Sequence, residues 1–152
     1  KRNIKLNFSN SILIHGGGWK NMELESIDND EFKNQIKETI NVSKIHNYYG
    51  MVEQTGSIYM ECEFGYLHSS SFSDVIIRDH KTHEILGVNK TGLIQLLSVI
   101  PKSYPGHSLL SEDIGEIFGV DDCKCGRKGS YFKVFGRMAS AESRGCSDTI
   151  TP

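Results

Sequence analysis

Apolar positions along the chain change their spacing near residue 48. Ile12, Leu13 and Ile14 form a short aliphatic run that stops at Gly16-Gly17-Gly18, as a strand does on entering a tight turn. Phe32, Ile36 and Ile40 then recur every four residues, and Asp28 precedes Glu31 with the spacing of a capping box. This pattern predicts a helix from Asn29 to Ser43 with its apolar stripe against a sheet. From Tyr48 onward the period falls to two. Strands are predicted at Ser57 to Cys62, Val75 to Arg78, Leu93 to Val99, Gly115 to Gly119 and Tyr131 to Phe135. Turn residues such as Pro101-Lys102-Ser103-Tyr104-Pro105-Gly106 separate them. The expected fold class is α+β: a strand-helix-strand opening followed by a β-rich subdomain. Neither an internal repeat nor a low-complexity segment interrupts it.

Length and composition narrow the classes. A chain of 152 residues is expected to form a single domain over 1–152. It is long enough to build a core without staples. Hydrophobic residues at 38% and charged residues at 24% argue against wholesale disorder. A net charge of −2 argues against a general nucleic-acid binder. No apolar run approaches a membrane span, and the N-terminus lacks the apolar stretch of an export signal. The expected setting is therefore a reducing cytoplasm, where the four cysteines serve as ligands, nucleophiles or core residues. The first residue is Lys1 rather than Met, which fits a piece of a longer protein.

Four stretches carry candidate chemistry. Residues 124–144 hold Lys124, Arg127, Lys128, Lys133, Arg137 and Arg144 against Glu142 alone, with Tyr131, Phe132 and Phe135 interleaved. Such a segment suits an anion such as a nucleotide phosphate, and a solvated basic strand pair explains it as well. His15-Gly16-Gly17-Gly18 is not a Walker loop, because no Gly-Lys-Ser/Thr follows. An esterase oxyanion loop would need a Gly-x-Ser-x-Gly elbow; Ala141-Glu142-Ser143-Arg144-Gly145 has the wrong first residue and little chain after it. What remains is a turn that lets a flat ligand approach the backbone, or a plain tight turn. Tyr49-Gly50-Met51-Val52-Glu53-Gln54 offers a ring to stack a base and a hard oxygen for Mg²⁺; a surface turn is the competing reading.

The fourth stretch is discontinuous. Cys62, His68, Cys123 and Cys125 supply three thiols and an imidazole, the soft donors of a tetrahedral structural Zn²⁺. The spacing Cys-x5-His with Cys-x-Cys is not a standard finger, and reduced thiols beside a surface histidine would read the same way. His15, His46, His80, His83 and His107 show no paired spacing and are expected in turns or on the surface.

Taken together, His15-Gly16-Gly17-Gly18-Trp19-Lys20, the Tyr49 loop and Glu61-Cys62-Glu63-Phe64-Gly65-Tyr66-Leu67-His68 resemble adenylate-forming enzymes. The resemblance extends through Cys125-Gly126-Arg127-Lys128-Gly129, residues 131–137 and Arg144-Gly145-Cys146-Ser147-Asp148-Thr149. The joint spacing is similar to the acyl-protein synthetase family, the fatty-acid-activating component of bacterial luminescence reductases. Phenylacetate–CoA ligases share a looser version. The resemblance implies a fragment of an adenylate-forming large domain that uses ATP and Mg²⁺ to activate a long-chain fatty acid. Tyr49 would stack on adenine, with Gly50 in the same loop, and Glu53 would ligate Mg²⁺. Gly16, Gly17 and Gly18 would line the adenine and acyl pocket. Asp113 would take the ribose hydroxyls, Arg137 would lie near the ribose and α-phosphate, and Cys146 would accept the acyl group as a thioester.

The resemblance also implies partners and omissions. The acceptor in luminescent systems is a reductase, and the phosphate loop with the acyl-binding part would precede Lys1, leaving this chain inactive alone. Val52 stands where the family pattern has Thr, so the phosphate would lose that hydroxyl unless Gln54 or Thr55 replaces it. Two other readings remain: a CoA ligase fragment, and a zinc-stabilised binding module without catalysis.

Overall fold

In the computed structural model, which describes residues 6–16 and 27–138, the helix starts where the sequence places it. Asp28 is the N-cap of α1 (Asn29–Ile40), and its Oδ1 accepts the Glu31 N–H at 2.8 Å. The helix ends three residues before the predicted Ser43, because Asn41 turns left-handed (φ 56°) and donates its N–H to Lys37 O at 3.0 Å. That is the C-terminal motif asparagine tolerates better than branched residues.

The chain falls into two compact units, Lys1–Asn47 with Glu142–Pro152, and Tyr48–Ala141. In the first, the described elements are β1 (Ile12–Gly16), α1 and most of β2 (Lys44–Tyr49). Phe32, Ile36 and Ile40 are half-buried, and the Phe32 ring lies 4.7 Å from the ring of His15 on β1. His15 is thus packed against the helix stripe rather than placed in a turn.

The second unit is an antiparallel sheet. Its strands are β3 (Tyr59–Glu61), β4 (Leu67–His68), β5 (Ser73–Arg78), β6 (Ile85–Leu86), β7 (Thr91–Ser98), β8 (Ser108–Val120) and β9 (Ser130–Arg137). The Tyr48–Tyr49 end of β2 pairs with β3, and the order continues β3-β4-β9-β8-β7-β5-β6. Val75 and Ile77 on β5 and Ile94 and Leu96 on β7 alternate into one core with Tyr59, Leu67 and Phe132. Tyr59 and Phe132 meet edge to face at 5.3 Å, the arrangement favoured by ring quadrupoles. Each fully buried side chain of this kind contributes roughly 1.5–3 kcal/mol over its exposed state.

Strand β8 is far longer than the predicted Gly115 to Gly119, since it pairs on both sides, with β7 and β9. Its register shifts between Ile114 and Gly115, where a Cβ would stand 2.5 Å from Lys133 O and 2.6 Å from Ile94 Cδ1. No described helix is long and apolar enough to cross a membrane.

Candidate functional site

The end of β2 and the paired strands β8 and β9 bring three of the sequence candidates together. Tyr49 donates its hydroxyl to Asp113 Oδ2 at 2.6 Å. Asp113 stands opposite Arg137 in the β8–β9 register, and Arg137 Nε lies 3.8 Å from Asp113 Oδ1. The Tyr49 ring packs near Tyr59 (6.2 Å) and Phe132 (6.3 Å), so the core fixes the donor. Burial, and then the Asp113 carboxylate, push the Tyr49 phenol far above its ordinary value. It stays a neutral donor throughout the physiological range.

Glu112 completes the group. Arg137 Nη2 meets Glu112 Oε2 at 2.7 Å, and both side chains are about half exposed (47% and 53%). The sequence reading missed this residue although it adjoins Asp113. Ser111 supports the turn of chain before Asp113: its Oγ accepts the Asp113 N–H at 3.2 Å and donates to Ile94 O at 2.8 Å. The cluster thus presents a fixed carboxylate beside a guanidinium, a pair suited to vicinal hydroxyls and a phosphate.

The loop after Tyr49 is also ordered by named contacts. Gly50 passes close to the chain, since a Cβ there would lie 3.1 Å from Ser57 O. Val52, Glu53 and Gln54 form a 3-10 turn with Val52 and Glu53 exposed. Gln54 is fully buried and its Nε2 donates to Gly106 O at 2.9 Å and Leu96 O at 3.3 Å. It therefore cannot replace the hydroxyl absent at Val52, because its amide is committed to the sheet. Thr55 Oγ1 donates to Val52 O at 2.9 Å, which leaves its oxygen only as an acceptor. Neither substitution expected from the sequence supplies a donor for phosphate. Glu53 offers an exposed carboxylate oxygen, the donor type that Mg²⁺ takes.

Cys62, His68, Cys123 and Cys125 also converge. Their ligand atoms all lie within 4.8 Å of one another, and Cys62, His68 and Cys123 are buried. His68 Nε2 is 3.4 Å from Cys125 Sγ. Burial, and then the Arg127 charge, hold the His68 imidazole below its ordinary value. Burial pushes the Cys123 thiol up to about 11. Burial acts the same way on Cys125, but the Arg127 N–H and the neighbouring thiols outweigh it and hold that thiol low.

Gly16 ends β1 in the first unit, while Gly17, Gly18 and Cys146 lie outside the described residues. Two described lysines of the basic stretch are engaged within the protein. Lys133 Nζ sits 5.1 Å from the Tyr66 ring centroid, and Lys128 Nζ donates to Asp121 O at 2.8 Å. Those contacts use the charge for packing rather than for an open anion surface.

This α+β sheet is a fragment of the adenylate-forming enzyme fold. A 2-hydroxyisobutyryl-CoA ligase in its postadenylation state superposes with a TM-score of 0.57 and 19% identity, over 70% of this chain and 23% of that one. A long-chain-fatty-acid–CoA ligase (FadD1) from Archaeoglobus fulgidus gives a TM-score of 0.56 and 13% identity, over 89% and 30%. Residues 2–152 match the family described as acyl-protein synthetase, LuxE, and the chain belongs to that family. The long-chain-fatty-acid–luciferin-component ligase of Vibrio harveyi is 26% identical over 141 residues, 89% of this chain and 35% of that relative. The chain therefore spans about a third of the length of this curated relative.

Proposed function

We propose that this chain is part of an AMP-forming acyl-protein synthetase, which activates a long-chain fatty acid and loads it onto Cys146. The observation that carries the reading is the meeting of Tyr49, Asp113 and Arg137, within a chain whose family membership runs from residue 2 to 152. Asp113, held by Tyr49, accepts the ribose hydroxyls of ATP, and the Tyr49 ring lies against adenine. Arg137 neutralises charge at the α-phosphate. Glu53 is an oxygen ligand for Mg²⁺, which when bound offsets phosphate charge. Gly50 allows the loop its close approach to Ser57.

The reaction has two displacements. A fatty-acid carboxylate oxygen attacks the α-phosphorus of ATP, and the bond to pyrophosphate breaks. The Cys146 thiolate then attacks the acyl carbon, the bond to the phosphate oxygen breaks, and AMP leaves with that electron pair. The stored thioester passes to a reductase-type acceptor. The setting is cytoplasmic, where the described thiols stay out of disulfides. In this reading the chain acts together with the remainder of such an enzyme; it spans about a third of the length of its relative.

The test uses the full-length enzyme with ATP, Mg²⁺ and a labelled long-chain fatty acid, followed by gel electrophoresis that preserves thioesters. Label should appear on the protein, be released by hydroxylamine and be absent from Cys146→Ser. AMP formation that requires CoA, without protein label, would reassign the enzyme as a CoA ligase.

A further inference from the structure

We infer that Cys62, His68, Cys123 and Cys125 bind a structural zinc ion that ties the β3–β4 hairpin to the connection between β8 and β9. The geometry carries this independently of the acyl chemistry. The four donor atoms come from two segments more than fifty residues apart, yet all lie within 4.8 Å of one another. Bond lengths of about 2.3 Å to sulfur and about 2.0–2.1 Å to nitrogen place tetrahedral ligand atoms about 3.6–3.8 Å apart, about 1 Å inside that limit. The His68 Nε2 to Cys125 Sγ distance, 3.4 Å, is already this short.

Each thiol segment is shaped for the task. Cys62 O accepts the Gly65 N–H at 3.0 Å, and Cys123 O accepts the Gly126 N–H at 2.9 Å. Both glycines are left-handed, with φ of 76° and 81°, so each cysteine sits at a tight turn that a side chain at the glycine would strain. The His68 ring is stacked on Tyr131 at 5.8 Å, its partner across the β4–β9 ladder, which fixes the imidazole plane. Three sulfurs and one nitrogen form a soft set without a carboxylate, which suits zinc rather than calcium or magnesium.

A structural role follows from the ligand count. Four protein donors leave no open position for water or substrate, unlike a catalytic zinc. β3 has three residues and β4 has two, so their ladders offer little independent hold. β3 pairs with the strand end bearing Tyr49, while the Cys123–Cys125 segment joins the strands bearing Asp113 and Arg137. A zinc cross-link here keeps both halves of that cluster in one frame.

The experiment is metal analysis of the full-length enzyme, purified under reducing conditions and desalted after exposure to zinc. One zinc per chain is expected, with loss to none in Cys62→Ser and Cys123→Ser. Cys125→His, which keeps four donors, should retain the metal. Cobalt substitution of the wild-type protein should give thiolate-to-cobalt charge transfer and intense tetrahedral ligand-field bands, a readout independent of any variant's folding. A natively folded wild-type protein with no bound zinc, no such cobalt spectrum and freely titrating thiols would overturn the inference. So would a disulfide among the three cysteines in that folded protein. Acylation activity plays no part in these readouts, so the site and the proposed reaction fail separately.

Discussion

The hydroxyl of Tyr49 donates to the carboxylate of Asp113 at 2.6 Å across a separation of 64 residues. One bond thus joins the end of β2 to the middle of β8. It places the two residues of the candidate nucleotide site in a fixed relation before any ligand arrives. The carboxylate keeps its second oxygen toward Arg137, at 3.8 Å.

Removing that bond should be measurable without substrate. Tyr49→Phe retains the ring packing and loses a hydrogen bond to a charged acceptor, typically worth about 1.5–3 kcal/mol. A lower urea midpoint with an unchanged denaturant slope is expected. An unchanged midpoint would mean that Asp113 is held by other contacts.

The tyrosines also predict an alkaline limit. Tyr59 is pushed up from 10.0 to about 12, chiefly by burial, and Tyr49 is raised for the same reason with Asp113 adding to it. Both stay protonated in the folded protein, while in the unfolded chain they ionise near their ordinary values. The unfolded state therefore binds fewer protons, and stability falls as pH rises from about 10 through about 12. Urea midpoints across that range, compared with Tyr49→Phe, should show a steeper decline in the wild-type chain.

Gln54 offers a test of the loop. Replacing it by Ala strips its amide donor from the Gly106 and Leu96 carbonyls, at about 1–3 kcal/mol for each group left buried and unpaired. Gln54→Glu should be worse, since it turns a carboxylate toward two carbonyl oxygens. Hydrogen exchange should accelerate first in residues 50–57, and exchange that quickens uniformly would point to global unfolding instead.

Gly115 sets the bulge two residues after Asp113. A methyl group there would press on the Lys133 carbonyl and on Ile94, so Gly115→Ala should cost roughly 1–3 kcal/mol through overpacking. It should also disturb the Asp113–Arg137 pairing, and a loss of nucleotide affinity larger than the loss of stability implies would reveal it.

The Arg137–Glu112 pair should behave oppositely. Both side chains are about half exposed, so Glu112→Gln is expected to change stability by less than about 1 kcal/mol. Arg137→Ala should be equally mild toward unfolding but should sharply slow AMP formation by the full-length enzyme. Turnover at the wild-type rate would remove Arg137 from the proposed mechanism.

The legible parts of this protein were the local ones. Asp28 three residues before Glu31 and the four-residue spacing of Phe32, Ile36 and Ile40 announced α1, because capping and amphipathicity are written within a single turn or two. Alternation did the same for β5 and β7. β4 and β6 escaped notice because two residues cannot display a period. The polar run Ser111-Glu112-Asp113 hid the first half of β8, whose extended backbone is held by ladders to β7 and β9.

Ligand types were equally visible, and their company was not. Composition and spacing picked out three thiols, an imidazole, a tyrosine and a basic stretch that includes Arg137, whereas Asp113 entered only through the family resemblance. Only strand pairing decided that His68 meets Cys125, that Asp113 lies between Tyr49 and Arg137, and that Gln54 faces inward. Those outcomes depend on contacts between residues from 24 (Asp113 and Arg137) to 64 (Tyr49 and Asp113) positions apart in the chain. Sequence alone determines the propensity of each segment and the chemistry each side chain offers. The ladders between strands determine which of those chemistries share a site, because a register displaced by one residue would turn each side chain to the opposite face of the sheet.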